Sequence, residues 1–209
     1  MKNNNLVIIG YSGHSYLCIE TAINIGISVD GYYDIEEKFF NPYNLKYLGK
    51  ETDLNITLKP FITVGDNSIR KKIYEKLLLN NVFLDLTLIH PNAVISNSSF
   101  ISNQTFISAG AIINSQVIIG KGCIVNTGAI IEHECQIGDF SHIGPNATIC
   151  GNVNISDNVF IGANAVVKEG VKVGENSIIG AGSVVLKNVP ANSIWVGNPA
   201  KKIIYKKIN

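Results

Sequence analysis

The sequence predicts two domains of different class, a small parallel α/β sheet over residues 1–88 and an all-β parallel coil over residues 89–209. Three observations predict it. From Ile89 to Val185 every sixth residue is Ile or Val, seventeen times without exception or insertion. Before Ile89, short aliphatic runs alternate with helix-like segments across Gly-containing turns. Composition also breaks: residues 1–88 carry 9 Lys/Arg and 10 Asp/Glu against 4 and 6 in residues 89–190, where only four of the seventeen aromatic residues fall. A chain of 209 residues accommodates two such units, with the boundary near Leu88-Ile89-His90-Pro91.

The first element is the run Leu6–Ile9, closed by Gly10-Tyr11-Ser12-Gly13-His14. Tyr16–Ile25 follows with apolar residues at helical spacing, then a strand over Ser28–Tyr33 that ends at Asp34. Phe61–Val64 makes a third strand, and Gly65-Asp66-Asn67 leads into a helix over Ser68–Leu79. Strands alternating with helices give a Rossmann-like parallel sheet. Such sheets bind ligands beyond the carboxyl ends of their strands, so Gly10, Ser12, Gly13, His14, Asp34, Gly65 and Asn67 are candidate substrate-binding residues. Gly10-x-x-Gly13 lacks the GxGxxG spacing of dinucleotide sites. A strand–glycine turn–helix still holds a phosphate against helix amides, and the same turn also serves as an ordinary tight connection. Asp34 stands where a carboxylate meets a ribose or a base edge, without choosing among uridine, guanosine and thymidine.

In the second domain, a small or β-branched residue stands four places after each aliphatic one, from Ala93 through Cys123, Ala129 and Cys135 to Val189. A period of six is neither the 3.6 of an amphipathic helix nor the pattern of a hairpin array. It fits a three-sided coil of 18 residues per turn, each short strand turning one aliphatic residue inward. Stacked at the strand spacing of about 4.8 Å, seventeen hexads stand roughly 27 Å tall. Asn and Gly, frequent between the hexad positions, tolerate the positive φ of sharp corners, and Ile and Val suit stiff strands. A solenoid needs covers at its ends; the N-terminal domain and the segment after Pro190 are placed to supply them.

Charged residues make up 16% of the chain, below the usual value of about 25%, which excludes a disordered charged tail. A net charge of +1 gives no electrostatic case for nucleic acid. No apolar run approaches the roughly 18 residues of a membrane span, and the opening residues are too quickly broken for a signal peptide. The four cysteines show neither CxxC pairing nor Cys/His metal spacing, so a reduced, cytoplasmic protein without a metal is expected.

Taken together, Gly10-Tyr11-Ser12-Gly13-His14, Gly65-Asp66-Asn67-Ser68-Ile69-Arg70, Ile131-Glu132-His133-Glu134-Cys135 and Trp195-Val196-Gly197-Asn198-Pro199-Ala200-Lys201 resemble the NeuD/PglD family of sugar acetyltransferases along essentially the whole chain. Tyr11 and Ser15 depart slightly from the family's turn. The resemblance, to hexapeptide-repeat acyltransferases in general and this family in particular, implies a left-handed parallel β-helix, against the usual crossover hand. It also implies a homotrimer of parallel prisms, a nucleotide-sugar site in the N-terminal domain and an acetyl-CoA site between adjacent prisms.

Acetyl transfer needs a base for the nucleophile and donors for the developing oxyanion. Beyond His90 the repeats hold two histidines, His133 and His142, and an imidazole titrates near neutral pH. His133 is the candidate catalytic base, and the resemblance makes Glu134, rather than Glu132, the carboxylate that orients it. Gly151, one 18-residue coil away, falls on the same side as His133 with an unobstructed amide; the resemblance places an oxyanion-binding amide there too. His142, nine residues from His133, points from another part of the cross-section, and trimer packing would carry it towards His133 of the next subunit. It joins Gly151, Gly162, Ala163, Gly180 and Ala181 as candidate cofactor-binding residues, the last four offering open backbone to a pantetheine arm. Asn126 matches a family position near the acceptor. Lys201, Lys202, Lys206 and Lys207 form a basic tail, either a contact for CoA phosphates or a solvated end. No cysteine stands beside a histidine as an acyl-enzyme route requires, and Cys135 falls on an interior position.

The expected function is acetyl-CoA-dependent N-acetylation of a nucleotide-linked amino sugar, by direct attack, in cell-surface glycan synthesis. An O-acetyltransferase of a free sugar such as sialic acid is one alternative, and a non-catalytic sugar-nucleotide scaffold another. A zinc-dependent carbonic anhydrase on the same coil would need three convergent histidines, which spacings of 43 and 9 residues between His90, His133 and His142 do not supply.

Overall fold

The computed structural model describes residues 6–54 and 59–203. β1 (Leu6–Ile9) is buried along its whole length, and a strand covered on both faces reads as a continuous aliphatic run rather than an alternation. It pairs in parallel with β2 (Val29–Tyr33) and β4 (Lys59–Ile62), and β3 (Lys46–Tyr47) completes a four-stranded sheet of order β3-β2-β1-β4. β3 is too short to carry a period, and the sequence does not announce it. β4 begins two residues ahead of the predicted strand, with Pro60 tolerated because β4 is the sheet edge.

Helix α1 (Gly13–Asn24) starts three residues earlier than its apolar spacing suggests. Its first turn is closed locally: the Ser12 amide donates to Ser15 Oγ at 3.0 Å, which replaces an apolar signal with a capping one. Helix α2 (Asn67–Leu79) is capped by Asp66, whose carboxylate accepts from the Ile69 amide at 2.8 Å. Gly10 holds φ +90°, and a side chain there would meet Val64 at 2.5 Å, so only glycine lets the chain leave β1 towards α1.

From Leu88–Ile89 to Val184–Val185 the chain forms seventeen two-residue strands, each paired in parallel with a strand eighteen residues before or after it, as Ile124 with His142 and Ile130 with Thr148. Three faces result. The first begins at Leu88–Ile89, the second at Val94–Ile95, the third at Phe100–Ile101. The hexad aliphatics and the small residues four places on fill the interior, where close packing leaves no room for larger side chains. Corner residues take positive φ every sixth position, and most are Asn or Gly; Gln104, Gln116, Glu134 and Phe140 are not. Trp195 and Ala200 join the last interior layer, and Lys201–Lys202 folds back antiparallel on Ile194–Val196. Lys206 and Lys207 lie outside the described residues. No helix among those described is long and apolar enough to cross a membrane.

The α/β domain sits on the lower part of the first face. Leu88, Phe106 and Ile124 point out of the coil into the core of the sheet, and Phe140 at a corner meets Tyr74 of α2 edge-on at 5.3 Å. Gln104 covers the sheet edge: its Oε1 accepts from the Ile62 amide at 3.1 Å and its Nε2 donates to the Pro60 carbonyl at 3.0 Å. Arg70 is the largest fully buried side chain, and all its donors find oxygen. Nε donates to the Gly122 carbonyl at 2.7 Å, Nη1 to Val64 and Gly65 at 2.9 and 3.0 Å, and Nη2 to Asn67 Oδ1 and the Phe140 carbonyl at 2.8 and 2.9 Å.

Candidate active site

His133 and Glu134 occupy the corner between the second and third faces, and both are exposed. His133 Nδ1 lies 3.1 Å from Glu134 Oε2. With Nδ1–H donating to the carboxylate, Nε2 keeps its lone pair, on the side of Gly151. Glu134 holds φ +59° where neighbouring coils mostly use Asn or Gly, a conformation that costs a side-chain-bearing residue about 1 kcal/mol or more. Gly151 stacks one coil above: a Cβ there would stand 2.5 Å from His133 Cε1 and 2.6 Å from Nε2. The amides on either side of it, Cys150 and Asn152, donate to the Val167 and His133 carbonyls, whereas that of Gly151 has no place in the ladder. An imidazole, a carboxylate and an amide outside the ladder therefore share one corner, the stacking that an eighteen-residue coil dictates.

The second group lies at the seam between the domains. His142 projects from the first face, its Nε2 3.1 Å from Asn126 Nδ2. Asn126 Oδ1 accepts from the Thr127 amide at 2.8 Å, so Nδ2 is the end that donates to His142 and the proton of the neutral ring sits on Nδ1. Phe160 meets His142 edge-on at 5.1 Å, and His14 lies 6.4 Å away in a tilted arrangement. Burial is the main cause that pushes His142 down to about 4, and the Arg70 charge adds to it. His14 is pushed down to about 3 by burial first, then by His142 and Arg70. Both rings are neutral at physiological pH.

Gly10, Ser12, Gly13 and His14 form the β1–α1 turn, and Gly65 with Asn67 the β4–α2 turn, at the carboxyl ends of adjacent strands. Asp34 follows β2, but its carboxylate is already engaged: it accepts from the Tyr11 and Ile35 amides at 2.8 and 2.7 Å and pairs with Lys38 Nζ at 3.1 Å. Asn67 lines the cavity beside this turn, and its buried amide is engaged within the protein, donating to the Val159 carbonyl at 3.1 Å and accepting from Arg70, so it also binds the two domains together. A cavity of about 800 Å³ lies between the Gly65–Ser68 turn and the first face, with His142, Phe160 and Asn158 on its wall.

Gly162, Ala163, Gly180 and Ala181 lie at the corner between the first and second faces, on the Asn126 side. Within one chain they are thus separated from His133 and Gly151 by the whole second face. Sequence reading missed Arg70, Asn158 and Phe160. Arg70 lies in the Gly65–Arg70 motif, and the eighteen-residue recurrence of Asn158 and Asn176 is the available signal for the other side of the cavity. One cysteine does stand beside a histidine, Cys18 Sγ at 3.8 Å from His14 Nε2. It is fully buried, and burial drives its thiol far above the ordinary range, so it is no nucleophile. Cys135 is buried as expected and pushed up to about 11. Among the described residues no three His, Cys, Asp or Glu side chains converge on a metal position.

A profile of the PglD N-terminal domain matches residues 5–77, and one of the bacterial transferase hexapeptide (six repeats) matches residues 117–151 and 152–187. Among solved structures, a histidine variant of perosamine N-acetyltransferase from Caulobacter crescentus, in complex with CoA and GDP-perosamine, is 31% identical over 96% of this chain and 97% of that one, with a TM-score of 0.91. The acetyltransferase domain of PglB from Neisseria gonorrhoeae, in complex with acetyl coenzyme A, is 29% identical over 96% and 100% of the two chains, TM-score 0.87. WeeI from Acinetobacter baumannii is 25% identical over 95% and 99%, TM-score 0.84.

Proposed function

The chain belongs to the NeuD/PglD-type sugar acetyltransferases, and from that premise we propose how its own residues carry out the reaction and on what acceptor. It is an acetyl-CoA-dependent sugar N-acetyltransferase. The acceptor is a nucleotide-linked amino sugar, with the nucleotide across the β1–α1 turn and the sugar reaching past the β4–α2 turn towards His142 and Asn126. His133 Nε2 takes a proton from the amine as its nitrogen attacks the thioester carbonyl. The new C–N bond forms, the oxyanion is met by the Gly151 amide, and the C–S bond then breaks as the thiolate of CoA leaves and takes up the proton. Glu134 fixes the ring's tautomer and steadies the imidazolium that forms.

The observation that carries this reading is the His133–Glu134–Gly151 corner, in a chain 31% identical to an enzyme of known amino-sugar acetylation. Completion of the site needs a second copy. The proposed base lies at one edge of the second face and the Asn126–Gly162–Gly180 column at the other. A three-fold ring that turns this face to its axis joins the first edge of one copy to the second edge of the next. The outward column on that face suits such burial: Val94, Ile112, Ile130, Thr148, Val166 and Val184 carry no charge over six coils. We therefore assign a homotrimer with shared sites.

The test is thiol release from acetyl-CoA with UDP-, GDP- and dTDP-linked amino sugars, for wild type and His133→Ala. Turnover with at least one, lost about 10²–10⁴-fold in the variant, is expected. Turnover confined to a free, non-nucleotide sugar, or a variant as active as wild type, would overturn the proposal.

A further inference from the structure

Two buried side-chain polar atoms among the described residues have no hydrogen-bond partner, His142 Nδ1 and Asn158 Oδ1. Both belong to residues on the wall of the same cavity. Buried polar groups are nearly always paired, so two orphans at one cavity point to a ligand that pairs them.

The polarity of each atom is fixed by its surroundings. Asn158 Nδ2 donates to Asn176 Oδ1 at 2.8 Å, and Asn176 Nδ2 donates in turn to Asn192 Oδ1 at 3.0 Å. This ladder leaves Oδ1 of Asn158 as an acceptor. On His142, Nε2 receives the Asn126 amide, so Nδ1–H is a donor; it lies near the Gly65 backbone without a hydrogen bond of good geometry. The wall between them is apolar, made by Phe160 and Ile178, both partly exposed. No Lys or Arg lines the cavity, and the donors of nearby Arg70 are all used. The chemistry is wrong for a diphosphate. It is right for a sugar ring, whose hydroxyls both donate and accept and whose C–H face packs on an aromatic wall.

We propose that this cavity seats the hexose ring of the acceptor, with Asn158 accepting from one ring substituent, His142 donating to another and Phe160 packing against the ring. This rests on the nucleotide-sugar reading above and assigns Asn158 as a specificity-determining residue. The nucleoside diphosphate lies outside the cavity, and its affinity is independent of Asn158.

The experiment is calorimetric titration of the full-length protein, without acetyl-CoA, with amino-sugar nucleotides and with the matching nucleoside diphosphates. Asn158 holds φ +57°, so Asn158→Gly removes the carbonyl without backbone strain; Asn158→Asp keeps an acceptor. Asn192→Gly, also at positive φ, cuts the far end of the ladder and serves as control. Asn158→Gly is expected to weaken the sugar nucleotide about tenfold and leave the nucleoside diphosphate within twofold, while Asn158→Asp and Asn192→Gly stay near wild type for both. Equal weakening of both ligands, no weakening of either, or an Asn192→Gly effect as large as that of Asn158→Gly overturns the proposal. Tight binding with the expected pattern but no acetyl transfer in the thiol assay would instead sink the catalytic reading and leave this one standing.

Discussion

Glu134 sits at a corner that most coils fill with Asn or Gly, in a backbone conformation unfavourable to a longer side chain. Its carboxylate is also the partner of His133. On the proposed mechanism, catalysis and not folding keeps this strained residue there. Glu134→Gly should therefore raise stability by about 1 kcal/mol, seen as a higher melting temperature, while acetyl transfer falls at least tenfold. A variant both less stable and fully active would contradict the role. This part of the site was legible because eighteen-residue stacking is local arithmetic: knowing one coil puts Gly151 over His133. The fate of Asn67 was not legible, since its two partners, Arg70 and Val159, lie in different domains and no period in the sequence relates them.

At the scale of elements, the β4–α2 turn is pinned to successive coils of the prism. Arg70 reaches the Gly122 and Phe140 carbonyls, and Asn67 reaches Val159 one coil further. A lysine carries the charge but at most three donors against five on the guanidinium. Arg70→Lys should thus cost about 2–4 kcal/mol by stranding buried acceptors, measured by chemical denaturation; an unchanged midpoint would show that the seam does not depend on this side chain. The same seam holds His14 and His142 neutral, at about 3 and about 4 against an ordinary 6.5. The unfolded chain binds these protons below about pH 6.5 while the folded one refuses them, so stability is full near neutrality and falls as pH drops towards 4. Melting temperatures between pH 7 and 4.5 should decline more steeply for wild type than for a His14→Gln, His142→Gln double variant; parallel curves would exclude the effect. The hexads were plain in the sequence because each strand repeats the same inward residue. Helix α1 and strand β4 were displaced by two or three residues because their ends are set by Ser15 and by an edge position, which apolar spacing does not encode.

For the whole molecule, the proposed shared-site trimer makes a statement about mixtures. His133→Ala and His142→Ala subunits are each inactive alone if every site takes one residue from each of two neighbours, yet mixed trimers contain some sites with both residues intact. Co-expression of the two should restore part of the wild-type rate, and no restoration, with the trimer confirmed by sedimentation, would mean that each site lies within one chain. The small sheet followed by a parallel coil was legible from composition and period, but the face on which the α/β part rests was not, because Leu88, Phe106 and Ile124 look like ordinary outward positions until the sheet covers them. Gln104 adds a consequence of its own. A single amide at a corner of the prism stands in for a missing neighbouring strand along β4, satisfying Ile62 and Pro60. Residues 1–88 prepared as a separate fragment would lose that shield and offer a naked ladder to the next molecule, so the smaller domain should clump on its own and stay dispersed only while the column that follows it is attached.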